Sequence, residues 1–300
     1  MLWATIKKKW QDDTLSTWLI LPYCWYIIFL LLPCFFLFKI SFSPLSNGPL
    51  PYQSMMHHNG SGHFSIIVSL ASYINILKDP FYRHAFKNSL VIASLSTFFC
   101  LMIGFPMAYI ISQSRRAITL LALSIIPFFA SFLIRIYAWI HLIGTKGVVN
   151  QVLQFFGMKT IALMHTKYAV IIGMVYSYLP FMIFPIYSAL LRIDPDMIES
   201  AQDLGCLPVS ALWRILIPLS MPGILSGIIF VFIPTMSEYL IPEILGGDQS
   251  IVLGRILWSE FFMVRDWPLA ASMSIVMMIL AYVPIFLFNK IKRHLQNRMT

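Results

Sequence analysis

Residues 194–205 read DPDMIESAQDLG, a short polar segment in an otherwise apolar chain, and their local signals all favour one helix. Asp194 or Asp196 can cap the first free backbone amides of such a helix. Glu199 stands three residues after Asp196, as in a capping box, and Gly205 suits a left-handed C-terminal cap. We therefore expect a short, rigid helix that ends at Gly205.

A second helix can begin just after the first, at Pro208, and continue towards Pro218. Residues 192–218 then form a helix-turn-helix hairpin. Its leucines are available for burial against the rest of the protein: Leu204, Leu207, Leu212 and Leu216. A loop that only joined two neighbouring helices would need far fewer residues. We therefore interpret this hairpin as a functional element.

Apolar sequence surrounds the hairpin on both sides. Of the 300 residues, 59% are hydrophobic and 11% are charged, whereas a soluble domain has about 25% charged residues. Six gaps between charges approach or exceed the roughly 20 residues that a membrane-spanning helix needs. They are 14–38, 88–114, 117–134, 168–191, 215–237 and 267–289. The sequence predicts an all-α membrane protein with six transmembrane helices in a single domain, residues 1–300.

Both ends of the chain are basic, and an even number of spans places them on the same side of the membrane. The terminal bases are Lys7, Lys8, Lys9, Lys290, Lys292, Arg293 and Arg298. The positive-inside rule therefore predicts that both termini and the hairpin are cytoplasmic. Residues 41–87, 144–167 and 246–266 then form external loops. The same rule accounts for the net charge of +9, so we expect no nucleic-acid partner.

The hairpin resembles the EAA motif, E-A-A-x3-G-x9-I-x-L-P, of permease subunits of binding-protein-dependent ABC importers. The matching residues are Glu199, Ser200, Ala201, Gly205, Ile215, Ile217 and Pro218. Ser200 and Ile217 replace the usual Ala and Leu with a mild change in size. In that family the hairpin contains a coupling helix that docks into a cleft of a cytoplasmic ATPase. The resemblance implies that Glu199, Asp203 and Gly205 transmit nucleotide-driven movement.

Further stretches resemble polyamine (spermidine/putrescine) permeases of the PotB/PotH type, over roughly residues 15–290. They include FLIRIYA (132–138), TKGVVN (145–150), YLPFM (178–182), PIY (185–187), PTMSEYLIPEILGG (234–247) and RDWP (265–268). The resemblance implies the type I (MetI-like) ABC importer permease fold. It also implies the partners: a second homologous permease subunit, a cytoplasmic ABC ATPase dimer and a periplasmic polyamine-binding protein. The assembly would lie in the lipid bilayer of a bacterial inner membrane.

The chain lacks the motifs that would let it hydrolyse ATP or act as an enzyme. It contains no G-x-x-x-x-G-K-[ST], H-E-x-x-H or G-x-S-x-G sequence. ATP and Mg are therefore expected to act at the partner ATPase, and no cofactor is expected on this chain. His57, His58 and His63 have no acidic neighbours, which favours a solvated loop over a metal site. The four cysteines have no ligand spacing and predict neither a disulfide nor a metal site.

Ionisable residues inside spans are costly and are therefore candidates for function. Glu238 directly follows the fifth predicted span, 215–237, and Pro234 and Pro242 on either side of it interrupt the helical hydrogen bonds. Its carboxylate either faces a water-filled pathway that attracts a polyamine or forms an ion pair with Arg135 or another base on the outer side. Glu243 lies nearer the interface, where exposure is common. Aromatic rings can bind ammonium groups by cation–π contacts, and the candidate rings are Tyr137, Tyr178 and Tyr239.

The external loops would not concentrate a polycation by themselves. Residues 41–87 carry three bases and one acid, a charge of +2, and residues 144–167 carry three bases and no acid, a charge of +3. Residues 246–266 carry two bases and three acids, a charge of −1. Delivery by a binding protein is the consistent explanation. Two other functions stay open: the same machine for another solute, and a stand-alone channel or carrier that works without ATP.

Overall fold

The computed structural model describes residues 22–46, 48–53, 56–59, 63–247 and 250–299. Six helical segments within them are long and apolar enough to cross a membrane: Pro22–Ser41, Pro80–Gln113, Phe132–Phe155, Lys167–Leu190, Pro208–Ser237 and Trp267–Phe286. The predicted membrane protein with six spans is confirmed. The bases Lys7, Lys8 and Lys9 lie outside the described residues, and the cytoplasmic location of the termini stays a prediction.

The chain divides into two compact units, and the first comprises Met1–Ile76 and Glu260–Val276. It contains α1 (Leu32–Ser41), preceded by a π-helical turn, and an antiparallel hairpin of β1 (Met56–Asn59) and β2 (His63–Ile66). Helix α2 (Ala71–Lys78) begins in this unit. His57, His58 and His63 therefore belong to the two strands. Their side chains lie outside what is described, so the solvated role predicted for them stays a prediction.

Hydrogen bonds tie the described part of the first unit together around Ser41. The Tyr73 hydroxyl donates to Ser41 Oγ at 2.9 Å, and the Ser272 hydroxyl donates to the Ser41 carbonyl at 3.1 Å. The Tyr52 ring stacks on Trp267 with 6.2 Å between ring centroids. The predicted external loop 41–87 therefore carries secondary structure and specific contacts.

The second unit comprises Leu77–Ser259 and Met277–Thr300. Its helices are α3 (Pro80–Gln113), α4 (Ala117–Phe129), α5 (Phe132–Ile143), α6 (Val148–Phe155), α7 (Lys167–Leu190), α8 (Pro195–Asp203), α9 (Pro208–Ala211), α10 (Ile217–Ser237) and α11 (Leu253–Ser259). Helix α12 (Trp267–Met299) begins in the first unit and ends in the second. That residues 1–300 form a single permease domain stays a prediction.

The predicted third span, 117–134, is wrong. Its first part is α4, which has only 13 residues and contains Pro127. The backbone turns to an extended conformation at Ala130, and α5 begins two residues later. The third apolar segment of spanning length is therefore Phe132–Phe155, which includes α5 and α6. The search for long uncharged stretches missed this span because each stretch ends at a charged residue. Arg135 is such a residue, but the fold buries it near the beginning of the span.

Glycines let the central helices of the second unit approach closely. A Cβ on Gly104 of α3 would lie 2.9 Å from Met182 Cγ of α7. A Cβ on Gly227 of α10 would lie 2.6 Å from the sulfur of the same methionine. Met182 itself is fully buried. The sequence's small residues thus allow α3, α7 and α10 to pack around one methionine side chain.

Gly223→Ala is expected to destabilise the second unit by at least about 1–3 kcal/mol, the usual cost of overpacking a core. Its Cβ would lie 2.5 Å from both Ala189 Cβ and the Pro185 carbonyl oxygen, which are too rigidly held to move aside. Thermal unfolding of the purified chain in detergent measures the effect. Ser226→Ala is the matched control, because the Ser226 hydroxyl bonds only to the Pro222 carbonyl of its own helix. Equal melting temperatures for both variants would contradict the close approach of α7 and α10.

Candidate functional site: a carboxylate at a helix break and an exposed hairpin

A break in the backbone places Glu238 at the end of α10. The helix ends at Ser237, and Glu238 is extended, with φ −64° and ψ 132°. A second helical segment then leads into a π-helical turn at Pro242–Gly246. The break therefore lies between Pro234 and Pro242, as the two prolines indicated.

Two neutral donors hold the half-buried Glu238 carboxylate. The Tyr178 hydroxyl of α7 donates to Oε2 at 2.5 Å. The Leu240 backbone N–H donates to Oε1 at 3.0 Å, so the side chain also caps the helical segment that follows the break. Neutral donors orient a carboxylate without neutralising its charge. The Glu238 carboxyl group is therefore held in a fixed position.

The proposed alternative, an ion pair between Glu238 and Arg135, is wrong for this structure. Arg135 Nε is buried and has no hydrogen-bond partner. A salt bridge joins Arg255 Nε to the Glu243 carboxylate. Arg255 also donates to the Gly247 carbonyl at 3.1 Å. Glu243 therefore has a basic partner of its own, whereas Glu238 has none among the described residues.

The three candidate tyrosines occupy different surroundings. Tyr178 contacts Glu238 directly. The Tyr239 ring stacks almost parallel on Trp258 of α11, with 5.7 Å between centroids and 8° between planes. Tyr137 is exposed on α5, and the described residues show no contact between it and the Glu238 carboxylate. The structure brings Tyr178 and Tyr239 to the helix break and leaves Tyr137 apart.

Helix α11 supplies residues at the break that sequence reasoning missed. A Cβ on Gly254 would lie 2.5 Å from the Ser237 carbonyl oxygen and 2.7 Å from that of Glu238. Arg255 and Trp258 follow on the same short helix. One signal was available, since a glycine, a base and an aromatic residue occur within five positions of the predicted loop 246–266. Only the fold brings that loop to the break.

The hairpin has the predicted caps at both ends of α8. Asp194 is the N-cap, and its carboxylate accepts the Asp196 N–H at 3.2 Å. Gly205 has φ +85°. The Gly205 N–H bonds to the Gln202 carbonyl at 2.8 Å, and the Cys206 N–H bonds to the Ala201 carbonyl at 3.0 Å. These bonds form a Schellman motif, which stops the helix sharply.

One detail of the predicted cap is wrong. Because Asp194 rather than Asp196 is the N-cap, Glu199 does not stand at the position that a capping box requires. The Glu199 side chain is exposed, as is Ser200, while Ala201 is half-buried. Asp203 is the last residue of α8 and is also exposed. Acidic and polar groups of the motif therefore point outward.

Apolar side chains on the hairpin are exposed in the chain alone. Leu204 is 89% exposed and Leu207 is 72% exposed, so the burial predicted for them is wrong, whereas Leu216 is buried. Met197, Val209 and Trp213 of the same hairpin are exposed as well, and we call these five residues the hairpin patch. Exposed apolar residues at such density are typical of an interaction site.

The second half of the hairpin joins the fifth span without interruption. Helix α9 begins at Pro208, as predicted, and a π-helical turn at Leu212–Leu216 leads into α10. The Ile217 N–H bonds to the Leu212 carbonyl. Such a turn accommodates Pro218, which cannot donate a backbone hydrogen bond. Half-buried Ile215 and exposed Pro218 therefore belong to a continuous helix that links the hairpin to Glu238.

Comparison with known proteins identifies the family. The whole chain, residues 1–300, matches the family described as "Binding-protein-dependent transport system inner membrane component". The chain belongs to this family. The permease is therefore a multi-pass inner-membrane protein and a subunit of a transport system.

The permease is similar over nearly its full length to two characterised relatives. It is 32% identical over 298 residues to the spermidine/putrescine transport system permease protein PotB of Haemophilus influenzae, covering 98% of each chain. It is 32% identical over 279 residues to PotB of Escherichia coli K12, covering 92% of the permease and 96% of the relative.

Solved structures confirm the expected fold. A bacterial ABC transporter that imports the acidic polysaccharide alginate has a TM-score of 0.72 at 20% identity, covering 98% of each chain. The inward-facing MetNI methionine ABC transporter has a TM-score of 0.54 at 20% identity, covering 71% of the permease and 95% of that chain. The permease therefore has the type I ABC importer fold.

Proposed function

We propose that this permease is the transmembrane subunit of an ATP-driven importer and forms the pathway for polyamines such as putrescine and spermidine. The observation that carries the proposal is the Glu238 carboxylate, which lies at a helix break with neutral donors and, in the part of the chain that the structure describes, no basic partner. The similarity to PotB permeases supports the choice of substrate.

The surroundings of Glu238 suit a cationic amine. An ammonium group close to a carboxylate away from bulk water gains far more electrostatic energy than it would in water. The Tyr178 ring and the stacked Tyr239–Trp258 pair supply aromatic faces near the break, which can add cation–π attraction. A break in a spanning helix is also where backbone carbonyls become available to a passing solute.

The hairpin provides the connection to ATP hydrolysis. We propose that its apolar patch and the exposed acidic residues Glu199 and Asp203 dock on a cytoplasmic ABC ATPase dimer. Because α8 is capped at both ends and α9 continues into α10, a displacement at the patch would move the helix that ends at Glu238. The hairpin and both termini are then cytoplasmic.

The remaining partners follow from the same proposal. They are a second homologous permease subunit and a periplasmic polyamine-binding protein, in a bacterial inner membrane. ATP and Mg act at the ATPase, and this chain binds no cofactor.

Reconstitution of the permease with its partner permease, ATPase and binding protein in proteoliposomes tests the proposal. We expect ATP-dependent uptake of radiolabelled putrescine or spermidine that requires all components. Uptake of neither polyamine, with ATPase activity still stimulated by the binding protein, would mean an importer for another solute. Uptake by the purified chain without ATP would mean a stand-alone carrier and would overturn the proposal.

A further inference from the structure

A cavity of about 360 Å³ lies between α4, α5 and α7. It is lined by Phe128, Ala130, Phe132, Arg135, Ser177, Tyr178 and Phe181. Arg135 is only 8% exposed, and its Nε donor has no hydrogen-bond partner. Its guanidinium lies 5.2 Å and 5.4 Å from the ring centres of Phe128 and Phe132. The cavity thus contains a buried positive charge flanked by aromatic rings.

The rings of Phe128 and Phe132 do not satisfy the charge and the hydrogen-bond donors of Arg135. A buried charge away from water is stable only when it is paired and hydrogen-bonded. Cation–π contacts supply attraction but neither a full negative charge nor an acceptor for an N–H group. Glu238 is not bonded to it, since the hydrogen bonds described for its carboxylate come from the Tyr178 hydroxyl and the Leu240 N–H. Arg135 therefore has no anionic partner among the described residues.

The beginning of α5 adds a second positive feature to the same cavity. The first helical hydrogen bond of α5 runs from the Arg135 N–H to the Ser131 carbonyl. The N–H groups of residues 132–134 precede it, and the Ser131 side chain does not cap them. Helix α5 has 12 residues, and the free amides at its beginning carry partial positive charge. Ala130 and Phe132, which flank this helix start, both line the cavity.

We propose that this cavity binds a carboxylate, held by the Arg135 guanidinium and the free amides at the start of α5. A planar guanidinium and a carboxylate fit each other by paired hydrogen bonds. The aromatic rings that line the cavity can pack against the apolar carbon atoms to which the carboxylate is attached. The carboxylate comes either from a small free acid or from an acidic side chain of a second permease subunit. The site is independent of polyamine transport, although a bound carboxylate would also lower the positive charge near Tyr178 and Glu238.

The first arm of the test uses the purified chain in detergent, with acetate as the probe and neutral acetamide as its uncharged analogue. We expect acetate, but not acetamide, to raise the melting temperature saturably by about 3 °C or more. Arg135→Gln should abolish the rise, and Arg135→Lys should weaken it. Exposed Arg116 provides the control variant, Arg116→Gln, which should respond as the wild type does. Arg135→Gln is expected to fold, because it removes a buried charge that has no partner.

The second arm separates the two sources of the carboxylate. If a side chain of the second permease subunit occupies the cavity, acetate has no effect on the assembled pair. Arg135→Gln then reduces co-purification of that subunit at least ten-fold, while Arg116→Gln does not. An acetate effect on the free chain that persists on assembly indicates a free acid instead. No acetate effect on the free chain together with normal co-purification of Arg135→Gln would overturn the proposal. Neither arm uses a polyamine or ATP, so its result does not depend on the transport assay.

Discussion

Glu238→Gln is expected to reduce ATP-dependent uptake of putrescine and spermidine at least ten-fold in reconstituted proteoliposomes. Glutamine has nearly the same shape: its oxygen can still accept the Leu240 N–H, and its NH2 group can donate to the Tyr178 hydroxyl, which then accepts. The main change is the loss of the negative charge. A ten-fold loss corresponds to about 1.4 kcal/mol, a modest share of the attraction between an ammonium group and a carboxylate away from bulk water.

Two variants separate this charge effect from other causes. Glu243→Gln removes a carboxylate five residues away that is already paired with Arg255, and we expect a change below about three-fold. Tyr178→Phe removes the hydroxyl that positions Glu238 but keeps the ring and the charge, and we expect an intermediate loss. Full uptake by Glu238→Gln in an importer whose ATPase still responds to the binding protein would show that this carboxylate does not attract the substrate.

Gly205→Ala is expected to lower transport and binding-protein-stimulated ATPase activity together, by roughly five-fold or more. At φ +85° a side chain strains the backbone by about 1 kcal/mol or more, although an added Cβ would meet no other atom within 4 Å. The strain loosens the Schellman motif that fixes the end of α8 beside Leu204. A coupling helix with a frayed end transmits less of the ATPase movement.

Gly157→Ala is the matched control for this prediction. Gly157 also has a left-handed backbone, with φ +69°, and an added Cβ there would also meet nothing within 4 Å. Both variants therefore carry a similar local strain, but only one lies on the hairpin. We expect Gly157→Ala to retain both activities. If both variants lost the same share of transport and ATPase activity, general destabilisation would explain the effect. That result would contradict a coupling role for the hairpin.

Local signals predicted the hairpin well because the groups that form it are close in the chain. Asp194 and Gly205 cap α8 through bonds to residues two to five positions away. Such bonds depend on side-chain type and backbone conformation alone. The exposure of Leu204 was not predictable in the same way. Whether an apolar residue is covered depends on partners that are distant in sequence or belong to another chain.

The third span shows where counting charges fails. A single buried arginine ends the apolar gap, so the charge count predicts a span at 117–134, although α4 ends at Phe129. Arg135 is accommodated beside Phe128 and Phe132. The cost of a charge inside a membrane protein depends on such neighbours, and the number of charges in a window does not represent them.

The amino-acid sequence by itself determined that this protein crosses the membrane six times, that a capped hairpin interrupts its apolar segments, and that Glu238 lies at a helix break. Each of these follows from composition, periodicity or residue types within a few positions of one another. Only the tertiary structure decided that Glu238 bonds to Tyr178 rather than to Arg135, that Glu243 is paired with Arg255, and that Arg135 lines a cavity. The residues in each of these arrangements come from different helices, and their distances are set by how closely the helices pack.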